Sequence, residues 1–176
     1  METVTSKSTQ WKIDTAHSEV TFKVKHLVIS TVTGTFDNFS GSVSTSHDDF
    51  KNAEISFEAL TRSINTRNAD RDNHLKSDDF FDAAGYPVLT FKSKSFNGKK
   101  LVGDLTIKDQ TNEVALTVSY GGTVTDPYNQ TKAGFELEGK INRKDYGLTW
   151  SAVTETGGVV VSDEVRIHCH IQIIKQ

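Results

Sequence analysis

From Val165 to Ile173 the chain alternates without a break. Val165, Ile167, Cys169, Ile171 and Ile173 are apolar, and Arg166, His168, His170 and Gln172 stand between them. Successive strand side chains point to opposite faces, so this segment presents one apolar face and one polar face. The same period recurs through the chain. Val20, Phe22 and Val24 share a parity, as do Ile55 and Phe57, and Leu89 and Phe91. So do Leu101, Gly103, Leu105 and Ile107, then Val114, Leu116, Val118 and Tyr120, then Phe135, Leu137, Gly139 and Ile141. Turn signals punctuate these runs at Asn97-Gly98, Gly121-Gly122, Asp126-Pro127 and Gly157-Gly158.

About eight strands with one apolar face each predict an all-β, antiparallel sheet. Long strands joined by short turns favour an up-and-down, lipocalin-like barrel. A barrel of this size is either filled by side chains or holds one small ligand. Small inward residues (Ala59, Gly103, Gly139) stand beside large ones (Phe57, Phe135), a mixture that fits both outcomes. With 176 residues, one domain is expected: a flexible lead over 1–10 and a barrel over 11–176.

Charge and composition narrow the partners. The formal net charge is −3 and no Lys/Arg-rich block exists, so no nucleic-acid partner is expected. The lone Cys169 excludes an internal disulfide and a Cys-based zinc site. No apolar run approaches the roughly 18 residues of a membrane span. The start "METVTSKSTQ" lacks the basic and apolar regions of a signal peptide. The chain as written is therefore expected to be cytoplasmic, or periplasmic if its N-terminus was trimmed.

One stretch, "NTRNADRDNHLKSDDFF" from Asn65 to Phe81, breaks the alternation. Arg67 and Arg71, Asp70 and His74, Arg71 and Leu75, and His74 and Asp78 are each four apart, which puts each pair on one helix face. Thr66 or Asn68 can cap its start, and a second turn can begin at Ser77 and end at Gly85-Tyr86-Pro87. A short helical cap near residues 67–83 is predicted over one barrel end. Leu75, Phe80 and Phe81 point in, and the charges stand at the rim.

Five stretches carry a resemblance to a known family: "WKIDTAHSEVTFKVKHL", "VTGTFDNFSG", "SINTRNADRDNHLKSDDFFDAAGYPVLTFKS", "GDLTIKDQTNEVAL" and "GKINRKDYGL". Together they resemble the YceI-like family of polyisoprenoid-binding, lipocalin-like barrel proteins, from about Trp11 to Ile174. Asn65 stands where the family usually has Asp, and Asp109 where Gly is common. The resemblance implies binding and carriage or storage of a long isoprenoid or similar lipid, with no catalysis and no cofactor. It also points to homodimers. The expected apolar lining is Phe22, Val24, Phe36, Phe39, Phe57, Phe80, Phe81, Phe91, Leu105, Leu116, Phe135, Ile141 and Trp150. Each is equally what a plain β-core would use. Arg67, Arg71 and His74 are the candidates for a lipid head group, because an Arg fork suits phosphate. The competing reading pairs Arg71 with Asp72, Asp78 or Asp82 and makes it an anchor. Five Asp between Asp70 and Asp82 favour the anchor.

Three other constellations invite chemistry. His168 and His170 have the His-x-His spacing of a chelate, yet face outward with no carboxylate evident nearby, so no metal is expected. Cys169 lies on the opposite face from both, which makes it a buried, inert thiol rather than a nucleophile. His17-Ser18-Glu19 are consecutive rather than converging, and more simply satisfy local backbone groups. The alternative to a lipid carrier is a non-catalytic stress-response or interaction protein that uses the barrel as scaffold. A lipid-modifying enzyme, less favoured, would need a polar cluster inside the cavity, to which only His26 and Asp104 are near.

Overall fold

A computed structural model of the chain describes residues 8–46, 49–151 and 160–176. The expected Gly157-Gly158 turn lies outside these residues. The strands are β1 (Thr9–Ile13), β2 (Glu19–His26), β3 (Ser30–Phe36), β4 (Phe39–Thr45), β5 (Glu54–Leu60) and β6 (Ile64–Asn65). After the helix α1 (Ala69–Lys76) come β7 (Val88–Phe96), β8 (Lys100–Ile107), β9 (Gln110–Thr125), β10 (Thr131–Asn142) and β11 (Val161–Lys175).

These segments build eight barrel staves. β1 and β2 both pair with the same edge of β11, Ile13 opposite Ile173 and Val20 opposite Cys169. They are one stave, interrupted by a 3-10 turn at Thr15–His17. β3 and β4 are likewise one stave broken at Asp37-Asn38, and β5 and β6 one stave broken by the 3-10 turn Thr61–Ser63. Every neighbour is antiparallel, and β11 returns to β1, so the sheet closes as an up-and-down barrel. Closure removes the unpaired edges of an open sheet.

The breaks have local causes. Asp14 caps the first by accepting from the Ala16 amide at 3.2 Å. Ser18 then refastens the stave: its Oγ accepts from the Gln172 amide at 2.9 Å, a partner across the sheet rather than the local backbone expected from sequence. His17 turns outward onto the Asp14 carboxylate, at 2.7 Å. Gly121-Gly122 does not end a strand, contrary to its reading as a turn. β9 runs through it, and Gly121 is the extra residue of a bulge opposite Gly134 and Phe135.

Inward glycines seat rings. Phe22 lies opposite Gly34 across β2 and β3, and a Cβ at Gly34 would collide with its ring. A Cβ at Gly103 would sit 2.5 Å from Phe91 Cζ, and one at Gly139 would run into Leu116. The small residues thus serve packing within the wall. Apolar residues point in and polar ones out, the reverse of the outward apolar band of a membrane-spanning barrel. No helix among the described residues is long and apolar enough to cross a membrane.

Candidate functional site

The packed wall still encloses a cavity of about 580 Å³. That volume lies within the roughly 300–1,000 Å³ typical of small-molecule pockets. Its lining is overwhelmingly aliphatic and aromatic and draws on every one of the eight staves.

The two ends differ. At the end holding the β4–β5, β7–β8 and β9–β10 connections, Phe50 plugs the barrel. Its backbone is left-handed (φ 61), which turns the ring inward, and it is 4 % exposed. It packs on Trp11 (5.2 Å between ring centres) and edge-on to Phe135 (5.1 Å). At the other end α1 and the segment after β10 form a lid. His74 meets Phe80 and Trp150 edge-on at 5.1 and 4.9 Å, and Phe36 meets Phe81 at 5.8 Å. Among the described residues, all the ionisable lining side chains but the thiol Cys169 belong to this second end: Lys25, His26, Asp70, Arg71, His74 and Arg143.

The cap forms as its sequence requires. The Asn68 carboxamide accepts from the Arg71 amide at 3.0 Å, so Asn68 rather than Thr66 is the N-cap. Ser77 Oγ closes the helix on the His74 carbonyl at 2.6 Å. Thr66, 4 % exposed, joins helix to wall. Asp72 accepts from its amide at 2.8 Å, while Arg71 Nε donates to its hydroxyl at 2.8 Å and Nη2 to its carbonyl at 2.7 Å. Arg71 therefore anchors through Thr66, and among the described residues it makes no direct ion pair with Asp72, Asp78 or Asp82. Arg67 lies outside the helix in left-handed backbone (φ 63), its amide on Asn65 Oδ1 at 2.9 Å. It shares no helix face with Arg71. Asn65 also donates to Asp37 at 2.9 Å, which a carboxylate could not do.

Twelve of the thirteen expected apolar residues line the cavity. Phe39 does not; it packs on Phe57 at 6.0 Å between ring centres. Arg71 and His74 reach the lining and Arg67 does not. Of the five aspartates of the cap only Asp70 does so. His74 is bonded to Asp79 at 2.8 Å. His26 lines the lidded end, whereas Asp104 bonds Lys94 at 3.3 Å outside the lining.

Sequence reasoning missed Phe50, Lys25 and Arg143. Phe50 was findable as a lone aromatic among polar loop residues. Lys25 carried no signal beyond its place at the end of β2. Arg143, 3 % exposed, holds the lid by its backbone. Its Nη1 donates to the carbonyls of Leu148 and Trp150, both at 2.6 Å, and its Nε to that of Ser162 at 3.0 Å. Burial pulls its pKa down, and Asp163 at 3.7 Å opposes this. Cys169 faces inward and lines the cavity, and burial pushes its thiol up to about 11. On the outer face, His168 does have carboxylates beside it. Glu136 lies at 2.6 Å and Glu138 at 3.7 Å on β10, correcting the sequence reading.

The model of the YceI-like domain matches residues 11–173. The UPF0312 protein of Staphylococcus aureus (strain N315) is 40% identical over 159 residues, 90% of this chain and 93% of that one. The Campylobacter jejuni YCEI protein has a solved structure that covers 98% of this chain and 97% of its own, at 33% identity and a TM-score of 0.70. A polyisoprenoid binding domain from Saccharophagus degradans covers 93% and 97% at a TM-score of 0.63; at 17% identity it is alike in fold alone.

Proposed function

Because the chain belongs to the YceI-like family, we propose that its barrel binds and carries or stores a long-chain isoprenoid or similar amphiphilic lipid. The polyprenyl diphosphate and isoprenoid quinone classes fit this description. The observation that carries the reading is the apolar cavity of about 580 Å³ with its ionisable residues gathered at one end. An isoprenoid tail gains roughly 25 cal/mol for each Å² of apolar surface taken from water, and needs no directed polar partner. The Saccharophagus domain, alike in fold, is a polyisoprenoid binding domain, which supports the same class of ligand here. The tail points toward Phe50 and the head toward the lidded end, where Lys25 lies in the lining and Asp70 is the single lining carboxylate among the described residues, while Arg71 stays bonded to Thr66.

Binding without chemistry is the reading that the polar residues favour. Arg143 spends its donors on carbonyls, and His74 is engaged by Asp79. A guanidinium does not give up its proton near neutral pH. Among the described residues no serine, threonine or cysteine side chain is hydrogen-bonded to the His74 ring as a nucleophile would be. Organic extraction of the chain purified from its native host, read by mass spectrometry, tests the proposal. An isoprenoid lipid near one equivalent is expected; a cavity that yields only polar small molecules would overturn it.

A further inference from the structure

Outside the barrel, away from the cavity, three ligand-type side chains converge. Glu136 on β10 and His168 and His170 on β11 each offer a donor atom, and these atoms lie within 4.8 Å of one another. We propose that they form a site for a divalent transition-metal ion of the zinc, nickel or copper kind.

The sheet presets this arrangement. His168 and His170 are two apart on one strand and so share a face, with ring centres 4.6 Å apart. Glu136 is the direct cross-strand partner of His170, in a β10–β11 pairing that runs unbroken from Lys132 to Asn142. Glu138 stands opposite His168 on the same edge, and Glu19 on β2 stands opposite His170 on the other. Two further oxygen donors are therefore neighbours of the three ligands.

Donor chemistry selects the ion. Two imidazoles and a carboxylate suit zinc, nickel or copper, whereas calcium and magnesium take oxygen donors. Metal–ligand distances of about 2.0–2.2 Å place the donors of a tetrahedral ion roughly 3.4 Å apart. The widest gap must close and the 2.6 Å His168–Glu136 contact must open. Side-chain rotation supplies both, since Glu136 and His168 are only half-buried and His170 is exposed. An ionised carboxylate only accepts, so His168 Nε2 carries the proton of that bond, and the ion takes the proton's place. A hydrogen-bonded His–Glu pair would need only one imidazole; the second, with a ring nitrogen within 4.8 Å of the same carboxylate, is what a chelate needs.

Zinc chloride titrated into the full chain in a calorimeter tests the site. One ion per chain is expected, with no heat from calcium chloride. His168→Gln with His170→Gln, both on the solvent face, should weaken zinc binding by roughly tenfold or more, since even outer partners of a metal ligand are worth that much. His17→Gln, outside the cluster, should leave it unchanged. NMR of the wild-type chain gives a second reading that needs no variant: zinc should shift the imidazole resonances of His168 and His170. No zinc heat in the wild-type chain, unaltered affinity in the double variant, or equal binding of calcium would overturn the proposal.

Discussion

Arg143 shows how much one side chain can organise at the residue scale. It is buried as a cation but spends its protons on backbone carbonyls, so it fixes the path of residues 148–150 over the barrel end. Arg143→Met keeps the apolar stem and removes the donors. Hydrogen bonds to charged groups contribute about 1.5–3 kcal/mol each, and stranded carbonyls add a penalty. Urea unfolding should show a loss of roughly 3 kcal/mol; a loss under about 0.5 kcal/mol would mean that the lid does not depend on it. Cys169 makes the opposite case, a reactive group silenced by its place. A thiol titrating at about 11 holds few thiolates at pH 8. Alkylation there should run roughly a hundredfold or more slower than for a free cysteine of pKa about 8.5, and speed up toward pH 11. The raised pKa also stabilises the fold below the thiol's unfolded pKa. That contribution fades as pH climbs through the folded value. Alkylation at the free-thiol rate in the folded chain would refute the assignment.

At the scale of elements the cap is the instructive case. α1 has eight residues and is polar nearly throughout. A helix that short does not hold in water by itself. It is kept by Asn68 at its start, by Leu75, Phe80 and Phe81 beneath it, and by the Arg71–Thr66–Asp72 link to β6. Arg71→Ala should therefore lower the melting temperature of the ligand-free chain and weaken diphosphate and quinone lipids alike. Were Arg71 a reader of anionic heads, the change would cost the diphosphate lipid alone. That loss would be roughly tenfold to a hundredfold, with the ligand-free melt unmoved. Thermal melts with and without each lipid separate the two outcomes. The first is expected, because Arg71 Nε and Nη2 are already committed to Thr66.

For the whole molecule, the barrel supplies one interior and two unlike ends. Phe57 and Phe135 both line that interior and are half-buried. Phe57→Asp or Phe135→Asp places a charge where a lipid tail would lie. Either should abolish uptake of a fluorescent isoprenoid while circular dichroism still reports a folded sheet; full uptake by a folded variant would move the site elsewhere. The resemblance to the family also suggests homodimers. Sedimentation at micromolar concentration should show a species of twice the chain mass, and a lone monomer boundary would dispose of the dimer.

The sequence by itself determined most of the strands, the face that their apolar residues take and the place of the cap. All three follow from neighbours in the chain. A period of two sends Cys169 inward and His168 outward whatever lies beside them, and Asn68 caps three residues on. The three broken staves were harder to see, because a 3-10 turn such as Thr61–Ser63 interrupts a strand without disturbing its partners' alternation. Only the tertiary structure decided which residues keep company. Glu136 reaches His168 across 32 positions because the register of β10 on β11 sets them diagonally across from each other, and nothing local to either segment encodes that pairing. Phe50 became a plug, and Arg143 a clasp, because other segments brought rings and carbonyls to them. The cavity belongs to the same level. Gly103 and Gly139 invite space in the sequence, yet Phe91 and Leu116 occupy it. The room that remains is set by the circumference of eight staves, which their closure into a ring fixes.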